Sequence, residues 1–369
     1  MSTQLKGRRI VIIGGAGFIG HNMALSYKKQ GAEVSIVDGL QVNNLLTFQT
    51  PGAGPKNREL YVQMIEERLH LLREAGIPLY IQDARDYHAL SRLLEELSPQ
   101  VIVHLAAVSH AGRSNKDPFS TFDHSLRTLE NALDWSRSGG LEHFIYFSSS
   151  MAYGNFRTEE VDEDHPLDPI GIYGALKASG EKIVIAYNQV FGLPYTIVRP
   201  SALYGPRCVS RRVGQIFIEN ALDGQSLRVE GDGAEKLDFT YIDDLSAGVA
   251  LMIEKPEARN EIFNLTYGSS RSIRDLVGII REHFPEVGVE FVERDNLMPF
   301  RGTLSVKKAE QLLGYAPTHP IDVGFPKYIE WYRDLTWHQG VMRRTKSYLS
   351  ERSEDETRER QLVSRPAGV

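Results

Sequence analysis

Apolar residues form short runs along the first 200 residues, and these runs alternate with stretches whose apolar residues recur at helical spacing. Runs such as Arg9–Ile13 and Val101–Leu105 are apolar nearly throughout, which is typical of parallel strands buried on both faces. Strands that alternate with helices favour an α/β fold, a doubly wound parallel sheet covered by helices on both faces. The predicted strands are Arg9–Ile13, Glu33–Val37, Leu79–Gln82, Val101–Leu105, His143–Phe147 and Tyr195–Arg199, and the predicted helices are Phe18–Gln30, Tyr87–Leu97, Thr121–Ser138 and Tyr173–Val190.

The connection between the second and third strands is unusually long, from Gly39 to Pro78. It contains a turn-rich stretch and then a helical pattern from Asn57 to Ala75. We consider two interpretations of this insertion 39–78. It is either an extra helix that covers the sheet edge, or a lid or subunit contact near a ligand.

The pattern changes after Pro200 to shorter elements with more loops. We therefore predict a sheet domain over 1–200, a smaller C-terminal lobe over 201–338 with returns to the sheet, and a charged, flexible tail over 339–369. The lobe's predicted helices are Ile216–Asp223, Ser272–His283 and Lys307–Leu313.

Composition and charge narrow the class of protein. Of the 369 residues, 41% are hydrophobic and 24% are charged, as in ordinary globular proteins. The formal charge of −6 has the wrong sign for a protein held by nucleic acid or anionic lipid, so we expect neither partner. The lone Cys208 excludes an intrachain disulfide and a cysteine-based zinc site, and we expect no metal. With no secretory signal or membrane-spanning run, we expect a cytoplasmic protein.

A glycine-rich turn follows the first strand. Gly14, Gly17 and Gly20 are three residues apart and precede a helix. In such a turn the first glycine allows the tight bend, the second lets a pyrophosphate approach the backbone, and the third lets helix and strand pack closely. Asp38, at the end of the second strand, is suited to accept hydrogen bonds from adenosine ribose and to repel a 2′-phosphate, which favours NAD over NADP. Asp83 is placed either to contact adenine or to cap the next helix.

Two further motifs are suited to acid–base chemistry. Tyr173 and Lys177 are four residues apart, so both lie on one face of the predicted helix. A lysine ammonium beside a phenol can lower the phenol's pKa to roughly 7 and make it a base near neutral pH. Ser148, Ser149 and Ser150 follow the fifth strand at the edge where open α/β sheets place ligands, and a hydroxyl there can hold a substrate oxygen.

Together these motifs resemble the extended short-chain dehydrogenase/reductase superfamily, specifically its NAD-dependent nucleotide-sugar epimerases and dehydratases. The resemblance covers about residues 8 to 335 and implies a Rossmann-type doubly wound parallel sheet with a smaller C-terminal substrate-binding lobe. It also implies a homodimer formed through the helices at Thr121–Ser138 and Tyr173–Val190. The motifs that carry it are Gly14–Gly20, Asp38, His104–Ala107, the serines before Tyr153-Gly154, Tyr173 with Lys177, Arg199–Pro206, Gly231–Gly233 and Asp238–Asp244.

The resemblance assigns roles to residues of this chain. Ser149, Tyr173 and Lys177 would be catalytic: Tyr173 takes a proton from a sugar hydroxyl, the sugar carbon gives hydride to NAD, and Lys177 holds the nicotinamide ribose. The expected cofactor contacts are Gly14, Gly17, Phe18, Ile19, Gly20, Asp38, Asp83, Ala84, Leu105, Ala106, Ala107, Tyr173, Lys177 and Pro200.

Substrate contacts follow from weaker matches. Besides Ser149 and Ser150, the expected contacts are Arg113, which would face the sugar or a uronate carboxylate, and the diphosphate ligands Lys236 and Arg301. For Arg301 a plain surface charge is the alternative. The basic run Arg207, Arg211 and Arg212 is either a phosphate-facing loop or a solvated one.

The residues next to Ser149 select among the family's reactions. Related dehydratases, decarboxylases and 3,5-epimerases carry acidic residues or cysteine there, whereas this chain has Ser150 and Met151. A thioether cannot transfer a proton, but hydride removal and return at sugar C4 needs no such group. We therefore predict a 4-epimerase of a nucleoside-diphosphate sugar, with UDP favoured. A decarboxylase or 4,6-dehydratase that takes its base from His110 or Glu159, and a non-catalytic NAD-binding regulator, are the alternatives.

Overall fold

The computed structural model describes residues 5–48, 56–109, 111–295 and 297–335. The strands are β1 (Arg9–Ile13), β2 (Glu33–Asp38), β3 (Leu79–Ile81), β4 (Val101–His104), β5 (His143–Phe147), β6 (Glu160–Val161), β7 (Tyr195–Arg199), β8 (Leu203–Tyr204), β9 (Leu227–Glu230), β10 (Lys236–Leu237), β11 (Thr240–Tyr241), β12 (Glu261–Asn264), β13 (Arg271–Ser272), β14 (Val289–Val292) and β15 (Thr303–Leu304). The α-helices are α1 (Phe18–Lys29), α2 (Leu45–Phe48), α3 (Arg58–Glu74), α4 (Tyr87–Leu97), α5 (Ala111–Lys116), α6 (Pro118–Phe122), α7 (Thr128–Ser136), α8 (Gly171–Phe191), α9 (Val213–Leu222), α10 (Ile242–Glu254), α11 (Ile273–His283) and α12 (Lys307–Leu313). Residues 321–335 are also helical.

One seven-stranded parallel sheet forms the centre, in the order β12-β7-β5-β4-β1-β2-β3. The α/β fold class and the six predicted strands are confirmed. The seventh strand, β12, comes from the C-terminal half and pairs with β7, so the lobe returns to the sheet there. Because the chain runs from β1 to one side of the sheet and later resumes on the other side at β4, a crevice opens at the carboxyl ends of these two strands.

The helix predicted over Thr121–Ser138 is divided. It consists of the end of α6, a π-helical turn over Asp123–Arg127, and α7. α6 begins earlier than predicted because Asp117 caps it, accepting a hydrogen bond from the Ser120 backbone N–H at 3.1 Å, and Pro118 occupies the first helical position. Asp117 and Pro118 thus determine where α6 begins, which the spacing of apolar residues alone does not predict.

The insertion 39–78 ties the two halves of the chain together. Tyr61, Met64 and Ile65 of α3 are buried in the apolar core of the C-terminal lobe. The Tyr61 hydroxyl donates to the Glu219 carboxylate of α9 at 2.7 Å. α3 therefore does more than cover a sheet edge: it packs against the lobe, and one of its residues reaches the cavity described below.

The lobe's three predicted helices are present as α9, α11 and α12. The predicted tail over 339–369 lies outside the described residues, and the boundary near residue 200 stays a prediction. Of the helices described, none is both long and apolar enough to cross a membrane.

Candidate active site

The glycine turn lies in the crevice between β1 and β4. Gly14 has φ of +81°, and a Cβ there would lie 2.7 Å from the Ala106 nitrogen. A Cβ on Gly20 would lie 2.5 Å from the Gly15 Cα, so only glycine lets α1 pack against the turn. Gly17 precedes α1 directly, and the first backbone N–H groups of that helix have no partner within the helix. This end of α1 is suited to bind a diphosphate.

A cavity begins at this turn and contains most of the predicted cofactor residues. The predicted residues that line it are Gly14, Gly17, Phe18, Ile19, Gly20, Asp38, Asp83, Ala84, Leu105, Ala106 and Ala107. The other three predicted residues, Tyr173, Lys177 and Pro200, do not line it. The Pro200 carbonyl instead accepts a hydrogen bond from the Ser150 backbone N–H at 2.9 Å. We call this space the cofactor cavity.

Asp38 lies at the end of β2 with both carboxylate oxygens engaged. They accept hydrogen bonds from the Ala16 N–H at 3.0 Å and the Leu40 N–H at 2.7 Å. Burial raises the pKa of Asp38, while these two N–H groups act in the opposite direction. The hydrogen bonds fix the carboxylate in the cofactor cavity, where it can accept further bonds from a ribose.

Asp83 does not cap the next helix. α4 is capped by Asp86, whose carboxylate accepts a hydrogen bond from the Ala89 N–H at 3.0 Å. Asp83 instead forms an ion pair with Arg85 at 2.6 Å and accepts a hydrogen bond from Gln41 at 3.0 Å. Partial burial acts to raise the pKa of Asp83, but these hydrogen bonds outweigh it and hold the pKa below its usual range.

Ser149 and Tyr173 meet in a second cavity, of about 410 Å³, that we call the substrate cavity. Both side chains line it, and the Ser149 hydroxyl lies close enough to the Tyr173 phenol to act on the phenol's pKa. Gly174 makes this approach possible, because a Cβ there would lie 2.5 Å from the Met151 carbonyl oxygen. The start of α8 can therefore pack directly on the serine turn.

Lys177 lies one helical turn after Tyr173 on α8. Its side chain is buried, and its Nζ donates to the Phe147 carbonyl oxygen at 2.6 Å. Burial lowers the pKa of Lys177 to about 8, with Glu181 acting in the opposite direction. Burial raises the pKa of Tyr173, whereas the Arg212 guanidinium and the Ser149 hydroxyl lower it. The predicted fall of the Tyr173 pKa toward 7 is therefore wrong, because the loss of solvation raises this pKa by more than the neighbouring groups lower it.

A buried polar network holds the strand ends beneath these residues. Glu181 of α8 accepts hydrogen bonds from Arg199 at 2.6 and 2.9 Å and from the Ser148 hydroxyl. Arg199 also donates to the Tyr153 hydroxyl at 2.8 Å, and Tyr153 donates to Asn264 at 2.7 Å. The network joins the ends of β5, β7 and β12, so Ser149 follows a rigid segment.

Arginines line the substrate cavity from its C-terminal wall. Arg301 lies in the cavity, with its guanidinium 3.9 Å from the Glu235 carboxylate, and burial lowers its pKa to about 10. Arg211 and Arg212 also line the cavity, whereas Arg207 is turned to His21 and Glu67. Of the three arginines of the basic run, Arg211 and Arg212 thus face the substrate cavity.

Two predicted substrate residues lie outside the substrate cavity. Lys236 is exposed, and its Nζ lies 3.6 Å from the Glu159 carboxylate. It faces solvent because side chains alternate along β10 and Leu237 is the one that faces the cavity. Arg113 is exposed on α5; the cavity is lined by Ala111 and Gly112, and Arg113 follows on the solvent side of the helix.

Of the two bases considered for other reactions, Glu159 does not line the substrate cavity. Glu159 is 94% exposed and paired with Lys236. His110 lies outside the described residues. Next to Ser149, the side chains that line the cavity are Ser150 and Met151, and the Ser150 hydroxyl donates to Ser201 at 3.2 Å.

The two cavities meet at shared walls. Ser109 and Arg212 line both. The sequence identifies Arg212 only as part of a basic run that is either phosphate-facing or solvated, because its loop is far from the other site residues along the chain. Within the described ranges, no group of three or more His, Cys, Asp or Glu side chains could hold a metal ion.

The glycine turn, the open end of α1 and Asp38 suit a dinucleotide, and its nicotinamide end would lie toward Ser149 and Tyr173. The sequence profile of the NAD dependent epimerase/dehydratase family matches residues 10–266, more than half of the chain. The chain belongs to this family. It is an NAD-dependent enzyme of the epimerase/dehydratase type, and its cofactor is NAD.

Individual relatives resemble the chain over most of its length. A putative UDP-glucose 4-epimerase of Methanocaldococcus jannaschii is 27% identical, with 88% of this chain and 98% of the relative covered. UDP-glucuronate 4-epimerase 4 of Arabidopsis thaliana is 26% identical, with 90% and 77% covered. The crystal structure of UDP-glucose 4-epimerase with UDP-glucose from Thermotoga maritima is 26% identical, has a TM-score of 0.75, and matches 88% of this chain and 98% of that chain.

Proposed function

We propose that this protein is a nucleotide-sugar 4-epimerase, with a UDP-sugar as its substrate. The observation that carries the proposal is that Ser149 and Tyr173 line the substrate cavity together with Arg212, which also lines the cofactor cavity. The relatives named as UDP-sugar 4-epimerases support the same reaction.

The chain's own residues would perform the acid–base steps. Tyr173 would remove the proton from the sugar 4-hydroxyl, and Ser149 would donate a hydrogen bond to the same oxygen. Bound NAD supplies a hydride acceptor that can return the hydride. Lys177 would hold the nicotinamide ribose, for which its Nζ would turn from the Phe147 carbonyl. Arg212 would keep the phenolate stable in a site where burial disfavours it.

The sugar must turn between the two hydride transfers, and the cavity must exclude other reactions. Arg301 would hold the diphosphate of the substrate and so act as the pivot. Met151 next to Ser149 offers no proton, which disfavours elimination and proton exchange at C3 and C5. The exposed Glu159 and the position of Met151 are the observations against a decarboxylase or a 4,6-dehydratase.

A panel of sugars tests the proposal. The protein is incubated with UDP-glucose, UDP-galactose, UDP-glucuronate and dTDP-glucose, and products are identified by proton NMR. We expect a C4 epimer of at least one UDP-sugar. Release of carbon dioxide or formation of a 4-keto-6-deoxy sugar would indicate the alternative reactions. If no sugar reacts and Tyr173→Phe leaves the protein's biological activity unchanged, the regulator hypothesis is correct.

As part of this proposal, we infer that the protein is a homodimer in the cytoplasm, and exposed apolar side chains support the dimer. Phe119 on α6 is 83% exposed, and Val190 on α8 is 71% exposed. Both lie on or beside the helices that the resemblance assigns to dimer contact, and pairing with a second copy would cover them. Cys208 is buried and is the only cysteine of the sequence, so the chain has no intrachain disulfide that would require an oxidising compartment.

A further inference from the structure

Arg68 is a fully buried arginine on α3, inside the insertion. Its Nε donates to the Arg207 carbonyl oxygen at 2.9 Å, and its Nη2 donates to the same oxygen. Among the described residues, its Nη1 has no hydrogen-bond partner. The side chain also lines the cofactor cavity. Arg68 thus combines a buried donor that has no acceptor among the described residues with a side chain that borders the cofactor cavity.

The positive charge of Arg68 also has no carboxylate partner at ion-pair distance among the described residues. In the part of the chain that the structure describes, no carboxylate forms an ion pair with it within 4.0 Å. Asp38 attracts it from a distance, but both Asp38 oxygens accept backbone N–H groups of Ala16 and Leu40. Removing a guanidinium from water without a partner is strongly unfavourable, so an anion is expected to complete the site.

The surroundings of Arg68 restrict the kind of anion. The cofactor cavity has the open N-terminal turn of α1 on one wall and Arg68 and Arg212 on others. Its second carboxylate, Asp83, is neutralised by Arg85. The walls therefore favour a ligand that carries negative charge next to Gly17, and the diphosphate is the negatively charged part of NAD.

We propose that Arg68 is a cofactor-binding residue, whose free Nη1 donates a charge-assisted hydrogen bond to the diphosphate of NAD. The insertion then contributes a side chain of α3 to the cofactor site. The residue is not a ligand for a 2′-phosphate, because such a group would lie beside Asp38 and be repelled by it.

The proposal gives the insertion a function that neither a sheet cover nor a lid explains. α3 is held in the C-terminal lobe by Tyr61 and Glu219, and Arg68 itself is held by the Arg207 carbonyl. A diphosphate bound by Arg68 would therefore contact the sheet domain and, through α3, the lobe that binds substrate. Cofactor binding should stabilise the contact between the two.

Direct binding measurements on the full chain test the proposal. Isothermal titration calorimetry gives the Kd of NAD, ADP-ribose, NADP and UDP for the wild type and for Arg68→Met, which keeps the length of the side chain but removes its charge. Loss of one charge-assisted hydrogen bond predicts NAD and ADP-ribose binding weaker by about 10- to 100-fold. UDP binding should stay within about twofold of wild type, because UDP occupies the other cavity.

Two further variants separate this role from a structural one. Arg68→Lys keeps the charge but only part of the bonding to Arg207, so we expect it to recover most of the NAD affinity. Tyr61→Phe removes the hydrogen bond between α3 and Glu219 without touching the cavity, so we expect a lower unfolding midpoint and unchanged NAD affinity.

Any of four results would overturn the proposal. The first is NAD affinity that Arg68→Met leaves unchanged. The second is a loss of NAD affinity that is equal in Arg68→Met and Arg68→Lys. The third is a loss of the same size in Tyr61→Phe. Either of these two results would mean that Arg68 acts only through folding. The fourth is a loss confined to NADP, which would place the contact at the 2′-phosphate.

Discussion

Replacing Glu181 with leucine should destabilise the protein strongly, because it removes the acceptor at the centre of the buried network. The side chains of Glu181 and Arg199 are 1% and 3% exposed. Glu181 accepts two hydrogen bonds from Arg199 and one from the Ser148 hydroxyl. In the variant, Arg199 would keep only the Tyr153 hydroxyl and the Glu163 carbonyl as partners.

The structure sets the size of the effect. Breaking a buried ion pair from one side leaves an uncompensated charge, at a cost of about 3–5 kcal/mol in the free energy of unfolding. Glu181→Gln keeps an acceptor oxygen but loses the charge, so its cost should be smaller, about 1.5–3 kcal/mol. Asp223→Ala is the matched control: it removes an exposed ion pair with Lys56, which should cost about 1 kcal/mol or less.

Urea unfolding followed by circular dichroism measures these differences, and activity assays below the unfolding transition measure the effect on the site. We expect kcat to fall in Glu181→Leu, because Ser148 loses its anchor directly before Ser149. The reasoning is refuted if Glu181→Leu costs no more than Asp223→Ala, since the buried pair would then contribute no more than a surface pair.

Three other predictions concern single residues. Arg212 lowers the pKa of Tyr173, so in Arg212→Met the rise of kcat/KM with pH should move to higher pH; an unmoved profile would contradict the electrostatic role. Arg301→Ala should raise KM for the UDP-sugar about tenfold or more, whereas the outward-facing Lys236→Ala should change it by less than about twofold; equal effects in steady-state assays would contradict the assignment. Burial raises the pKa of Asp238 to about 7, above its value of 3.8 in an unfolded chain. The native state therefore keeps a proton that the unfolded chain loses between about pH 4 and 7, and the free energy of unfolding should fall as pH rises through that range. Asp238→Asn should remove that slope from urea titrations, and a slope that persists would contradict the assignment.

Local motifs were predictable because their requirements are local. Gly14 is needed where the turn after β1 bends, and Gly20 is needed where α1 packs against that turn. Asp38 lies at the end of β2, the strand next to β1. Tyr173 and Lys177 share a face of α8 through helical spacing. In each case a few consecutive residues determine the geometry, so sequence spacing is enough.

The remaining site residues depend on contacts between distant segments. Arg212 and Arg68 reach the cofactor cavity from a loop of the lobe and from the insertion, and no local pattern places them there. Lys236 lies outside the substrate cavity because side chains alternate along its short strand and Leu237 is the one that faces inward, which the charge of a lysine does not indicate. The pKa of Tyr173 is raised rather than lowered because its side chain is buried, and burial depends on tertiary contacts that the spacing to Lys177 does not reveal.

The central claim is that hydride leaves and returns to sugar C4 under the control of Tyr173. Reaction of UDP-glucose and UDP-glucuronate in D2O, with the products analysed by NMR and mass spectrometry, tests it most directly. We predict a C4 epimer that carries no solvent deuterium at C4 or C5, and no epimer with Tyr173→Phe. Deuterium at C4, or an epimer formed equally well by Tyr173→Phe, would contradict the account.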